Sequence, residues 1–122
     1  MKVFIVLCAL VAMSLGQQTY DSRFDNFNAQ ELVENERLLK AYGLCFIEKG
    51  PCTSEGLDIR KIIPEAIKTN CSKCTPKQRE LVRTIVHAFQ NKLKDLWEKI
   101  LDKYDPKREY AAEFEKFINS KE

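Results

Sequence analysis

One histidine, one tryptophan and no block of like charge are what this chain of 122 residues has least of. A Ser–His–Asp or Cys–His mechanism would have to use His87, the single imidazole. His87 falls on the polar face of its segment with Arg83, Thr84 and Asn91, where a surface histidine is expected. There is no glycine-rich phosphate loop and no calcium loop. No acid–base pair of carboxylates stands out, because most acids read as i,i+4 partners of Lys and Arg, as Glu98 to Asp102 and Lys99 to Lys103 alternate around a helix. Neither an enzyme nor a cofactor is expected. Basic and acidic residues are interspersed and nearly balanced, so the positive field that a nucleic-acid binder needs is missing. Internal repeats and low-complexity tracts are absent, and strand signals are poor.

No apolar run reaches the roughly 20 residues that span a bilayer. The longest, residues 3–13, follows Lys2 and precedes Ser14-Leu15-Gly16, which sets small residues at the −3 and −1 positions of a signal peptidase site. Residues 1–16 therefore read as a secretory signal peptide cleaved after Gly16, and residues 17–122 as a single secreted domain. Of the 20 basic residues, Lys2 leaves with the leader, so 19 face 18 acidic ones. Membrane-active helices usually concentrate Lys and Arg on one face, and this balance argues against stable membrane insertion.

Cys8 also leaves with the leader. Cys45, Cys52, Cys71 and Cys74 remain, an even number in a short secreted chain, which reads as two disulfides. Three pairings are open and spacing alone does not choose among them. Cys71-Ser72-Lys73-Cys74 has the spacing of a zinc ligand pair, but its partner pair is loosely spaced and the compartment is oxidising, so no metal is expected. A redox-active CxxC would need a strand–helix setting that the chain lacks. Asn70-Cys71-Ser72 is formally an N-glycosylation acceptor, and a disulfide at its middle residue argues against use.

Helical periodicity runs through most of the chain. Residues 19–27 read as an irregular arm. A short helix over 28–35 starts at Asn28 with Glu31 three residues on. The next, over 36–47, puts Leu38, Leu39, Tyr42, Cys45 and Phe46 on one face, and Gly50-Pro51 marks a turn. Thr53 caps a helix to about Thr69 with the stripe Ile59, Ile62, Ile63, Ala66 and Ile67, and a kink is expected at Pro64. Thr75, Pro76 and Gln78 form a capping box ahead of Val82, Ile85, Val86 and Phe89. That helix ends or bends near Asn91. Leu93, Leu96, Trp97, Ile100, Leu101 and Tyr104 resume the spacing, and Asp105-Pro106 restarts a last helix with Tyr110, Phe114, Phe117 and Ile118. The expected fold is all-α, five to six short amphipathic helices closed into one globule.

The four-cysteine spacing and its neighbours resemble the insect chemosensory protein (OS-D-like) family. The resemblance is carried by Arg37-Leu38-Leu39-Lys40-Ala41-Tyr42, Glu48-Lys49-Gly50-Pro51-Cys52-Thr53, Ile63-Pro64-Glu65-Ala66, Cys71-Ser72-Lys73-Cys74-Thr75 and Lys103-Tyr104-Asp105-Pro106, with residues 20–27 resembling the opening arm. It implies six helices around a hydrophobic tunnel and the pairing Cys45–Cys52 and Cys71–Cys74. It also implies binding of long-chain lipophiles such as fatty acids, alcohols, esters, or pheromone and odorant components. The chain departs from the pattern at Arg108, where a glycine is common, at Ala111-Ala112-Glu113-Phe114, where a more basic stretch is usual, and at Gly43-Leu44.

From composition alone Trp97 is a core residue. The resemblance assigns Trp97 and Tyr42 to positions that face the tunnel. The expected ligand-binding set is Leu39, Tyr42, Phe46, Ile62, Ile63, Ile67, Val82, Ile85, Val86, Phe89, Trp97, Ile100 and Leu101. The expected function is that of a secreted, monomeric carrier that solubilises a small hydrophobic ligand. The alternative is a secreted interaction protein in development, moulting or regeneration. Periodicity does not tell a filled core from a hollow one.

Overall fold

Four of the six helix starts among the described residues are set by short polar side chains that accept a hydrogen bond from the first turn. The structure, a computed structural model, describes residues 19–121; the expected leader and its cleavage site lie outside them. A 3₁₀ turn (Ser22–Asn26) is followed by α1 (Ala29–Glu34), α2 (Glu36–Phe46), α3 (Ser54–Thr69), α4 (Pro76–Lys92), α5 (Lys94–Tyr104) and α6 (Ala111–Ile118), with no strand among the described residues. Asn28 accepts from Glu31 N, Asn35 from Leu38 N, and Thr53 from Gly56 N. At Thr75 the box is reciprocal: Thr75 Oγ1 accepts from Gln78 N at 3.1 Å and Gln78 Oε1 from Thr75 N at 3.0 Å. Each such cap contributes about 1 kcal/mol.

The division between α4 and α5 falls at Leu93, whose extended backbone (φ −136°, ψ 58°) breaks the ladder two residues after Asn91. α3 runs as one helix through Pro64. The last helix differs from expectation. It starts at Ala111, not at Asp105-Pro106. The buried Asp105 carboxylate accepts from Glu109 N at 2.8 Å and Tyr110 N at 3.1 Å, holding residues 106–110 in a turn. Arg108 stands there at φ 55°, in the left-handed region that favours glycine. Its guanidinium reaches Asp102 at 2.7 Å and Glu98 at 3.2 Å. So Glu98 and Asp102 pair across the turn rather than along their own helix.

α4 is the central element. It packs against α1, α5, α6 and the 3₁₀ turn, while α3 packs mainly on α2 and more lightly on α5 and α6. Phe89 of α4 lies between Phe46 and Trp97, with ring centroids at 6.4 and 6.5 Å. Tyr42 and Phe27 continue that row toward the arm. Gly43 is where α2 meets this row. A methyl group on it would lie 2.5 Å from Leu96 Cδ2 and 2.9 Å from Phe89 Cε1. Gly43→Ala is therefore expected to destabilise the protein by about 1–3 kcal/mol, although alanine favours a helix, with chemical denaturation as the check. An unchanged or higher midpoint would show that Leu96 swings away freely.

Disulfides join Cys45 to Cys52 and Cys71 to Cys74. The first ties the end of α2 to the approach to α3, and the second closes the turn before α4. Each closes a short loop, worth roughly 2 kcal/mol in the chain-entropy model. All four sulfurs are thus paired, and the described residues contain no group of three or more His, Cys, Asp or Glu side chains placed to hold a metal ion.

Candidate functional site

α3 presents Ile59, Ile62, Ile63, Ala66 and Ile67 at spacings of 3, 4, 7 and 8 residues, and α4 presents Val82, Ile85, Val86 and Phe89 at 3, 4 and 7. The two stripes face each other across an apolar cavity of about 100 Å³. Phe46 of α2, Trp97 and Ile100 of α5 and Phe114 of α6 complete its wall. Most of the wall is β-branched. Such side chains are stiff at χ1, so the wall has few alternative rotamers with which to rearrange. No ionisable group lines it, and the Trp97 indole N–H is the only side-chain donor in the wall. An apolar cavity without polar partners is a poor site for water and a good one for an alkyl chain.

Ten of the thirteen expected ligand-binding residues line this cavity: Phe46, Ile62, Ile63, Ile67, Val82, Ile85, Val86, Phe89, Trp97 and Ile100. Leu39, Tyr42 and Leu101 are buried in the adjoining packing instead. Tyr42 sits beside the Cys45–Cys52 bridge, where its hydroxyl accepts from Thr53 Oγ1 at 3.3 Å. Ile59, Ala66 and Phe114 line the cavity without having been singled out. The first two belong to a stripe the sequence displays, so periodicity could have found them. Phe114 enters from α6, whose start the sequence misplaces. His87 is half-buried and faces Asn119 Oδ1 at 3.2 Å, away from the cavity wall.

A second apolar space, of about 60 Å³, lies under the amino-terminal arm. It shares Ile59, Ile62, Val82 and Ile85 with the central cavity, and Tyr20, Phe24 and Phe27 close it from outside. The arm is held by polar contacts. Tyr20 N donates to Lys73 O at 2.9 Å, Gln78 Nε2 to Asp21 O at 2.9 Å, Thr75 Oγ1 to Asp25 Oδ1 at 2.9 Å, and Arg23 pairs with Asp58 at 2.9 Å. The Tyr20 hydroxyl donates to Glu65 Oε1 at 2.7 Å, and Lys73 lies 3.2 Å from the other carboxylate oxygen. Burial, reinforced by Glu65, raises the Tyr20 pKa and keeps the phenol protonated. The Tyr20 and Lys73 hydrogen bonds lower the Glu65 pKa. A lowered carboxylate pKa contributes stability that is present above the unfolded value and lost as pH falls through the folded one. Tyr20 should therefore loosen from α3 in acid, below the ordinary carboxylate range, and NMR of the Tyr20 ring against pH reads this. Glu65→Gln should remove that titration, and an unchanged profile in Glu65→Gln would contradict the assignment.

The model of the family described as "Insect pheromone-binding family, A10/OS-D" matches residues 20–112. The chain belongs to that family. This OS-D chain is 34% identical to the allergen Tha p 1 of Thaumetopoea pityocampa, over 98% of this chain and 97% of that one. It is 38% identical to the putative odorant-binding protein A10 of Drosophila melanogaster, over 81% of this chain and 64% of that one. A solved chemosensory protein in complex with bromo-dodecanol is 31% identical, with a TM-score of 0.72 over 80% of this chain and 98% of that one. The six-helix fold is thus the chemosensory protein fold. The family binds small hydrophobic ligands and is not enzymatic. No helix among the described residues is long and apolar enough to cross a membrane.

Proposed function

We propose that this OS-D protein is a secreted, monomeric carrier for a single-chain lipophile with one weakly polar end: a long-chain alcohol, fatty acid or ester. The observation that carries this is the apolar cavity between α3 and α4. The bound dodecanol derivative in the related structure, a long alkyl chain ending in a hydroxyl, supports the ligand class. Burying each methylene contributes about 0.8 kcal/mol, offset by the ordering of ligand and protein. The Ile59, Ile62, Val82 and Ile85 wall offers a longer chain a route toward the space under the arm, and Trp97 offers the one donor for a polar end. Leu39, Tyr42 and Leu101 support the wall from behind.

Protein secreted by its source tissue tests this. Intact mass should start at Gln17 and lack four hydrogens, and native mass spectrometry should show a co-purifying lipid of this class. Uncleaved chain or free thiols would contradict the secreted-carrier reading. Protein that is always empty, and that no lipophile stabilises, would favour the secreted interaction protein.

A further inference from the structure

The charge balance of the whole chain conceals a local excess. Lys40 of α2, Lys92 and the break residue Leu93 at the end of α4, and Lys94, Leu96 and Lys99 of α5 line an open surface groove together with Leu44 and Asp95. The four lysines are exposed and one acid accompanies them. Three other acids near the groove are engaged elsewhere: Glu98 and Asp102 by Arg108, and Glu48 by Lys103 at 2.7 Å. No ion pair among the described residues uses Lys40, Lys92, Lys94 or Lys99. Lys92 Nζ donates to the Val33 carbonyl, which fixes its position and leaves its charge in place. Under the lysines the floor is leucine. The periodicity of any one helix hides this surface, because it is assembled from three.

We infer that this groove is the face by which the protein docks reversibly on an anionic lipid bilayer. Charge complementarity favours that occupant. Lysines are flexible point charges that suit many loosely placed headgroup phosphates, whereas an acidic peptide is more often gripped by the rigid fork of arginine. Leu44 and Leu93, half-buried among them, match the acyl boundary below the headgroups. The position is apt. Leu96 in the groove and Phe89 in the cavity wall both lie against Gly43, so one layer of side chains separates the docking face from the ligand. A lipophile passing between carrier and membrane would cross least water here. The docking extends the carrier reading without depending on it.

Co-flotation of the purified protein with phosphatidylserine-containing vesicles, and with phosphatidylcholine vesicles as comparison, tests the proposal. The protein should partition onto the anionic vesicles only and be released by salt. A lysine near an anionic surface is worth roughly fivefold in partitioning, so Lys94→Glu with Lys99→Glu should cost at least about 25-fold. The same change at Lys61 and Lys68, exposed on α3 and outside the groove, should cost much less. Circular dichroism and ligand affinity in solution should be unchanged in both double variants, which separates docking from the carrier reading. Equal loss in the two double variants would reduce the effect to net charge and overturn the proposal. No partitioning of the wild type would overturn it too, as would binding of an acidic polypeptide in preference to vesicles.

Discussion

Replacing Ala66 with phenylalanine is expected to lower the affinity for a long-chain alcohol more than a hundredfold while leaving the helices in place. Ala66 is a small side chain in the cavity wall, 7% exposed, and a phenyl ring there projects into the hollow of about 100 Å³. Excluding even four methylenes, at about 0.8 kcal/mol each, removes about 3 kcal/mol of binding. Filling a void is far less disruptive than forcing a ring into a packed core, where it costs about 1–3 kcal/mol. Stability should hold or rise, and circular dichroism with thermal melting reads it. Val86→Phe, from the opposite wall, provides the same blockade should Ala66→Phe strain the nearby Cys71–Cys74 turn. If both variants fold and bind the alcohol as the wild type does, the ligand lies elsewhere.

The largest loss of stability is expected at Leu39. It is fully buried, and it lies outside the cavity wall. Leu39→Ala should cost about 2–5 kcal/mol, depending on how far α1 and α2 relax into the space. For a domain of this size that lowers the melting midpoint by roughly 10 °C or more. The folded fraction should still bind the alcohol with wild-type affinity. Ligand should therefore raise the variant's midpoint through the same mass-action term as in the wild type. A large affinity loss in Leu39→Ala would return Leu39 to the ligand wall, as its stripe position in the sequence suggests.

The contrast between Leu39 and Ala66 shows what periodicity resolves. Both sit on apolar stripes, and a stripe reports only which face turns inward. Whether that face meets a neighbour or a hollow depends on how far the opposite helix stands away, a distance set by other elements. α3 leans mainly on α2 and α4 mainly on α1 and α5, and both meet α5 and α6 around the hollow. Local signals were fully legible: the Thr75–Gln78 box, the Thr53 and Asn28 caps and the break near Asn91 are all in place. The start of α6 was not. Asp105 stabilises its turn through a buried carboxylate, and Pro at the following position reads equally well as a helix start. The arm read as irregular, and its role as the cover of a second apolar space depends on contacts to residues more than thirty positions away. The lysine groove was hidden for the same reason, since no single helix carries it.

Trp97 offers the most direct measurement of the central claim. It is the single tryptophan of the chain, 8% exposed, stacked on Phe89 and part of the cavity wall. Titrating the protein with straight-chain alcohols of increasing length, and following Trp97 fluorescence, should give saturable curves. Affinity should tighten with each added methylene until the cavity is full and then level off. A signal that does not saturate, or an affinity indifferent to chain length, would contradict a carrier that works by burying an alkyl chain between α3 and α4.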